Sequence, residues 1–380
     1  MARVILVGPS NRFHGGISSY LQVTADGLVN SGHEVGLILL DRLVPSFIYP
    51  GKKRLNNNPV LDFGNSKIKT LHVMNYYDLS ISRKIKRGIA EFDPDFAIVH
   101  WWTFAVFPML SKVTKALRKI QCPTFIEMHE VLDQNDSKVP LVQLVSKYLG
   151  KKLLLGAHRV VVHSESDRKL VSKHFRMEQD TLTIVPLANN SKSVVKVSQE
   201  EARKKLGISQ KKVVLFFGLI RKYKGVTGLI KAFERLNVPD VLLLIVGEIW
   251  DERKEIEEMI NNSAKKKDIV LIDRFVDDSE IPAIYCSADS LAMPYTRASQ
   301  SGVSGLAMEF GIPIVAFSVG GLKEGLGKYE NSIFVESGNI EKFSLAIEES
   351  LDLEPCSPGG NMIQDVVKIW IELGNEEMSE

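Results

Sequence analysis

Two stretches of the chain place cations, glycines and a carboxylate in the order that a phosphorylated ligand would require. In FFGLIRKYKG, Arg221, Lys222 and Lys224 stand between Gly218 and Gly225 at the end of an apolar run. Glycine lets backbone approach a ligand closely, and two or three cations in one turn can neutralise a diphosphate. An equally basic surface loop is the bland alternative, and the glycine brackets argue against it. In SQSGVSGLAMEFG, a loop of small residues leads into an apolar helical segment over 305–310. The spacing predicts unpaired backbone N–H groups from about Gly302 to Ser304, where the helix dipole favours an anion. Glu309 follows about two turns on, so a carboxylate beside the phosphate would suit a ligand that also carries hydroxyls, as a ribose does. Gly320 and Gly321 close the next apolar strand and mark another place of close approach.

The amino-terminal half offers candidates of another kind. Gly15 and Gly16 open a helix after the first strand, in PSNRFHGGISSYL. A turn that merely reverses the chain is an even alternative, and the pattern is not the GxGxxG of a nicotinamide site. VHWWTF and IEMHEVLD follow two later strands and bring His100, Trp101, Trp102 and His129 towards one sheet edge. A lone histidine is more often structural than catalytic, but ligands bind open parallel sheets at the carboxyl ends of their strands. Trp101 and Trp102 could floor a site for a sugar or a lipid; core packing is the safer reading. Ser164 can cap a helix through Asp167, and a substrate contact by Ser164 or Glu165 is the alternative to capping alone. Gly247 and Glu248 end another strand and can line the base or ribose side of the second site.

Such residues need a scaffold that gathers strand ends. Apolar runs at 4–7, 35–40, 70–73, 96–99, 124–128 and 159–163 alternate with amphipathic segments of helix length, and a second series runs at 213–217, 241–246, 269–272, 290–293, 313–316 and 332–335. That alternation is the signature of a parallel sheet covered on both faces. At 380 residues the chain exceeds the usual span of one core, so it reads as two doubly wound, Rossmann-like α/β domains, 1–190 and 191–355. The boundary falls in a polar segment near Asn190, and Ser198 with Glu201 makes a capping box for the helix that follows. Pro355, Pro358, Gly359 and Gly360 break the chain before a short last helix, 362–373, and a mobile tail; 356–380 could cross back to the first domain.

The 48 basic and 46 acidic residues leave a net charge of +2, which gives no whole-chain case for nucleic acid. Cys122, Cys286 and Cys356 are widely spaced without a CxxC pair, so neither a disulfide framework nor a structural zinc site is expected, and a reducing cytoplasm is. The start resembles no signal peptide, and no apolar run reaches membrane-spanning length.

Jointly, the Gly15-Gly16 loop, His129, Ser164-Glu165-Ser166, FFGLIRKYKG, SQSGVSGLAMEFGIPIVAFSVGG and ENSIFVESGN resemble the retaining glycosyltransferases of family 4, the glycosyl transferases group 1. The likeness runs from Arg3 to about Ile347. It implies the GT-B fold, two Rossmann-like domains facing across a cleft, with a nucleotide-diphosphate sugar bound mainly by the second domain and the acceptor by the first. Lys224 matches the family's diphosphate lysine. The usual arginine after the turn glycine is replaced by Leu219, and Arg221 is the candidate substitute. Of the family's two glutamates separated by seven residues, Glu309 matches the second, while Ser301 stands in place of the first, which is expected to contact the transferred sugar. The resemblance further implies that Ser301, Gly302 and Val303 bind the donor, that Glu309 holds the ribose hydroxyls, and that His129 touches the sugar through its ring or backbone carbonyl.

The implied activity is retaining, metal-independent transfer of a hexosyl group to a hydroxyl of a glycan, a polysaccharide or a lipid-linked acceptor, with no cofactor beyond the donor. Ser301 keeps open a catalytically silent nucleotide-binding scaffold subunit, and the fold keeps open a nucleotide-sugar epimerase. Leu141, Leu144, Val145, Leu149 and Leu153, with Lys147, Lys151 and Lys152, could form a face resting on the inner side of an anionic membrane. The loop 41–54 supports that peripheral contact; a helix packed on the sheet with solvated lysines is the plainer alternative.

Overall fold

Runs such as VVLFF and VLLLIV are apolar on every residue, which suits a strand with helices on both faces rather than an alternating strand with one face in water. The computed structural model describes residues 1–10, 16–42, 66–75, 81–130, 140–188, 196–357 and 363–379. It divides into two units, Met1–Asn190 with Asn361–Glu380, and Ser191–Gly360. Gly15, the linker at Asn190 and residues 43–54 of the apolar, basic loop lie outside the described residues.

In the first unit the elements are β1 (Arg3–Pro9), α1 (Gly16–Asn30), β2 (Glu34–Arg42), β3 (Ile68–Asn75), α2 (Ile81–Phe92), β4 (Phe96–Trp101), α3 (Phe107–Lys119), β5 (Thr124–Met128), α4 (Pro140–Leu154), β6 (Arg159–Val162), α5 (Glu165–Phe175) and β7 (Leu182–Ile184). The strands lie in the order β3-β2-β1-β4-β5-β6-β7, all parallel. Strand order reverses between β1 and β4, which makes their carboxyl ends the switch point of this sheet.

The second unit holds α6 (Gln199–Leu206), β8 (Lys212–Phe217), α7 (Val226–Arg235), β9 (Val241–Val246), α8 (Arg253–Asn262), β10 (Ile269–Ile272), α9 (Ile281–Ser287), β11 (Ser290–Met293), α10 (Gly302–Phe310), β12 (Ile314–Phe317), α11 (Leu322–Leu326), β13 (Ser332–Val335) and α12 (Ile340–Ser350). Its six parallel strands run β10-β9-β8-β11-β12-β13, with the switch point between β8 and β11. Ser198 and Glu201 form the expected reciprocal cap on α6.

The chain then returns to the first unit. The last helix, α13 (Ile363–Ser379), is neither short nor followed by a loose tail, because Ile363, Val366, Val367, Trp370 and Leu373 form one apolar stripe. That stripe lies on the α1 side of the first sheet, where Trp370 is fully buried with its ring 5.8 Å from Phe125. Contact is close at both ends. A Cβ on Gly27 of α1 would come within 2.6 Å of Ile363, and one on Gly374 within 2.5 Å of Phe96. Burying a tryptophan of this kind contributes about 3–5 kcal/mol. No helix among the described residues is long and apolar enough to cross a membrane.

Candidate functional site

In the second unit, the turn after β8 and the start of α10 converge. Gly218 has φ +105, open to glycine alone among common residues, and a Cβ there would sit 3.2 Å from both Lys224 Nζ and Val303 Cγ2. Lys224 is carried by a short 3₁₀ turn, Lys222–Lys224, and its ammonium lies 5.2 Å from the centre of the buried Tyr295 ring. The turn is fixed to the β11 loop by Thr296 N–H donating to Tyr223 O at 2.7 Å. Gly225 cannot carry a side chain either, since a Cβ would meet Pro294 O at 2.2 Å. The sequence therefore spends two glycines on bringing one lysine to a helix start.

Helix α10 begins three residues earlier than the apolar pattern suggests. Ser301 is its N-cap without a capping side-chain bond, and Ser304 N–H donates to Ser301 O. Gly302 and Val303 thus carry the first-turn amides that have no helical acceptor, while that of Ser304 is already paired. Among the described residues nothing lies within 4 Å of a Cβ built on Gly302. Glu309, on the same helix, is half-buried; its Oε2 has no hydrogen-bond partner among the described residues. Burial raises its carboxyl to about 7 although Lys196 pulls the other way.

Arg221 stands in the same turn but is turned aside. Its Nε donates to Asp251 at 2.9 Å and its guanidinium lies 5.2 Å from the Trp250 ring centre, so it braces the β9 turn rather than meeting Lys224. Glu248 is buried and accepts Trp250 Nε1–H at 3.0 Å. Gly247 has φ +151, and a Cβ on it would fall 2.0 Å from Gly218 O, so the two strand-end turns touch through backbone.

In the first unit, side chains rather than backbone build the site. His100 on β4 pairs in register with Glu127 on β5, and His129 lies two residues beyond Glu127 on the same face. His163 follows β6, and Tyr20 reaches across from α1. Tyr20 OH donates to Glu127 Oε1 at 2.8 Å, and His100 Nδ1 lies 2.9 Å from Glu127 Oε2. His100 Nδ1 is also 2.8 Å from His129 Nε2, His129 Nδ1 is 3.2 Å from His163 Nε2, and His163 Nδ1 is 3.0 Å from Val185 O. The protons follow from the last contact. A carbonyl only accepts, so His163 Nδ1 carries hydrogen and its Nε2 accepts from His129 Nδ1–H. His129 Nε2 then accepts from His100 Nδ1–H. Both ring nitrogens of His129 are occupied, so its ring has no free hydrogen-bonding atom to offer a ligand.

Burial alone would raise the Glu127 carboxyl, but His129, His100 and His163 outweigh it and hold it near 2. Burial pushes His129 well below the usual imidazole range, and burial, then Glu127, lifts Tyr20 well above the phenol range. The cluster is therefore a carboxylate with a neutral ring at His129. His100, Glu127 and His129 lie close enough to surround a cation. The rings of His100 and His129 are 5.1 Å apart between centres, close to their 2.8 Å nitrogen separation plus about 1.2 Å from each centre to its nitrogen. They point at each other along a hydrogen bond rather than at a shared metal.

The other expected residues divide. Trp101 is a core residue and not a substrate floor, because it alternates with His100 and so faces the opposite side of the sheet, where it lies against Phe175. Trp102 is half-buried. Ser164 caps α5, accepting Asp167 N–H at 3.0 Å and donating to its carboxylate at 2.6 Å; Glu165 pairs with Arg168 at 2.8 Å. Gly16 starts α1, and among the described residues nothing lies within 4 Å of a Cβ built on it. On α4 the apolar face is split: Leu153 is buried, whereas Leu144 (67%) and Tyr148 (70%) are largely exposed, as is Leu155 just beyond the helix. Sequence reasoning missed Tyr20, Glu127 and His163. The signal available was polar residues at the ends of otherwise apolar strands.

Two family profiles cover most of the chain: "Glycosyltransferase Family 4" over residues 14–189 and "Glycosyl transferases group 1" over residues 198–362. An uncharacterized glycosyltransferase of Methanocaldococcus jannaschii is 24% identical over 352 residues, 90% of this chain and 86% of that protein. The D-inositol 3-phosphate glycosyltransferase of Corynebacterium aurimucosum is 27% identical over 54% of this chain and 51% of its own. Among solved structures, Anabaena HepE in complex with UDP-glucose superposes with a TM-score of 0.69 at 16% identity, covering 100% of this chain and 98% of that one. Sucrose-phosphate synthase from Thermosynechococcus elongatus gives 0.69 at 16%, covering 99% and 97%. These likenesses carry the fold, which is GT-B.

Proposed function

The chain belongs to the group 1 glycosyltransferases, and from that premise we propose that it moves a sugar, with retention of configuration, from a nucleotide-diphosphate donor to an acceptor hydroxyl. The observation that carries this reading is the approach of Gly218, Lys224 Nζ and Val303 to one point at the start of α10. A diphosphate there would meet an ammonium, two open amides and the positive end of a helix. Departure of that diphosphate is the step in which negative charge accumulates most, and preorganised donors stabilise it without reorganisation. Neighbours crystallised with UDP and UDP-glucose support a nucleotide sugar as donor.

Glu309 is assigned to the ribose hydroxyls and His129 to the transferred sugar, through its backbone carbonyl. Ser301 offers the sugar a hydroxyl where the family's other glutamate would offer a carboxylate. With Arg221 held by Asp251, Lys224 carries the diphosphate charge, and Arg221 supports the turn. Attack by the acceptor on the face from which the diphosphate leaves retains configuration, and a diphosphate oxygen takes the acceptor's proton. The scheme needs neither a protein base nor a metal on the diphosphate.

The acceptor is assigned to a membrane-facing glycan or lipid. Leu144, Tyr148 and Leu155 form an exposed apolar stripe, flanked on α4 by Lys147 and Lys152, the arrangement in which lysines reach anionic headgroups. Flotation with anionic vesicles tests it: Leu144→Asp with Tyr148→Asp should leave the protein in the soluble fraction.

A thermal-shift panel of UDP, GDP, ADP and their sugars tests the donor site. A ligand at 100 times its dissociation constant adds about 2.7 kcal/mol. The response should appear with one base and vanish in Lys224→Ala; full transferase activity in that variant would end the assignment.

A further inference from the structure

Glu127 is the one carboxylate of the first-unit cluster, and the proposed reaction leaves it without a task. It is wholly buried, and its ion-pair neighbours among the described residues are His100, His129 and His163, with no lysine or arginine. Tyr20 satisfies Oε1, while Oε2 receives no aligned hydrogen bond; the His100 Nδ1–H beside it is directed to His129. A buried carboxylate in this condition is costly unless a positive charge comes to it. Among the described residues no lysine or arginine supplies one.

The reaction does. As the diphosphate leaves, the anomeric carbon and ring oxygen of the sugar take on positive charge. We infer that Glu127 is a positioning and charge-balancing residue for glycosyl transfer, acting through His129: its anion orients the His100–His129–His163 chain and stabilises the cationic sugar of the transition state. The inference rests on the proposed assignment of His129 to the sugar. The ground-state sugar is neutral, so the interaction strengthens only as bonds break, which is the condition for raising kcat rather than tightening binding. Exclusion of water from the cluster keeps that interaction from being screened. The hydrogen-bond polarity agrees, since each imidazole in the chain donates away from Glu127 and towards Val185 O.

Glu127→Gln removes the charge at nearly constant shape. Expected are a fall in kcat of about 10- to 100-fold and a donor KM within about twofold, in a protein that still unfolds cooperatively well above the assay temperature. Glu127→Asp, with its charge restored one methylene further back, should recover part of kcat. A second readout does not require turnover: with UDP present, a protonated iminosugar should bind the wild type at least tenfold more tightly than Glu127→Gln, while a neutral sugar distinguishes them little. Unchanged kcat in Glu127→Gln would overturn the inference, as would equal iminosugar affinity, or a lowered unfolding temperature that alone accounts for lost rate. A wild type that responds to no nucleotide sugar would instead overturn the donor reading, and this inference with it.

Discussion

The two strand-end sites solve opposite problems. In the second unit the features that matter belong to the backbone: a positive-φ glycine, a helix start without a side-chain cap, and two turns in contact at Gly218 and Gly247. In the first unit they are side chains, five of them interlocked from four elements, with the backbone serving to hold register. A cradle of amides suits a ligand whose charge is permanent. A buried, prearranged anion suits charge that exists only while bonds are breaking. The contrast predicts that damage to the cradle should be read in binding and damage to the cluster in rate.

The largest effect should come from Lys224→Ala, with kcat/KM falling about 10²–10³-fold and the thermal response to nucleotide lost, as for removal of one preorganised donor. If KM for the donor stayed constant, the division between binding and rate would fail. Next is Gly247→Ala. Its φ of +151 and the 2.0 Å approach of a Cβ to Gly218 O leave no room for a side chain. Chemical denaturation should show a loss of about 3 kcal/mol in the second unit, with nucleotide response falling in parallel.

These glycines show why the strand-end turns of the second unit were readable from sequence. FFGLIRKYKG and SQSGVSG declare their turns in consecutive residues, and most strands could be traced as apolar runs, β3 with its Lys69, Thr70 and His72 being an exception. Short β7, three residues long, offered no such run. The cluster was harder to read for a physical reason. Tyr20 and Glu127 are separated by 107 positions, and only the pairing of His100 with Glu127 across β4 and β5 brings the carboxylate among the histidines. His129 was visible alone; its partners become visible once register is known. The same alternation corrects Trp101, which must face away from His100. The tail erred in the other direction: the breakers before it drew attention away from the apolar stripe through Trp370 and Leu373.

A smaller effect concerns Glu309. Burial lifts its carboxyl to about 7 from an ordinary 4.5, so its contribution to stability is present below pH 4.5 and lost as pH rises through 7. Nucleotide binding should run the opposite way, because the ionised form accepts ribose hydroxyls more fully. Affinity should rise up to about tenfold across that window, and Glu309→Gln should flatten it. Titration calorimetry at pH 5.5 and 8 checks both directions. Smallest is Ser164→Ala, which removes the α5 cap at a cost of about 1 kcal/mol by thermal unfolding, with kcat unchanged if Ser164 only caps.

The return of α13 sets an order of events during synthesis. The ribosome releases the first unit's seven strands, then the whole of the second unit, before Trp370 emerges to cover Phe125. The domain begun first is finished last, and until then the part of its sheet around Phe96 and Phe125 that α13 covers is an exposed apolar surface on a nascent chain. Premature termination near residue 360 would spare every residue assigned to chemistry and still release a protein for chaperones to hold.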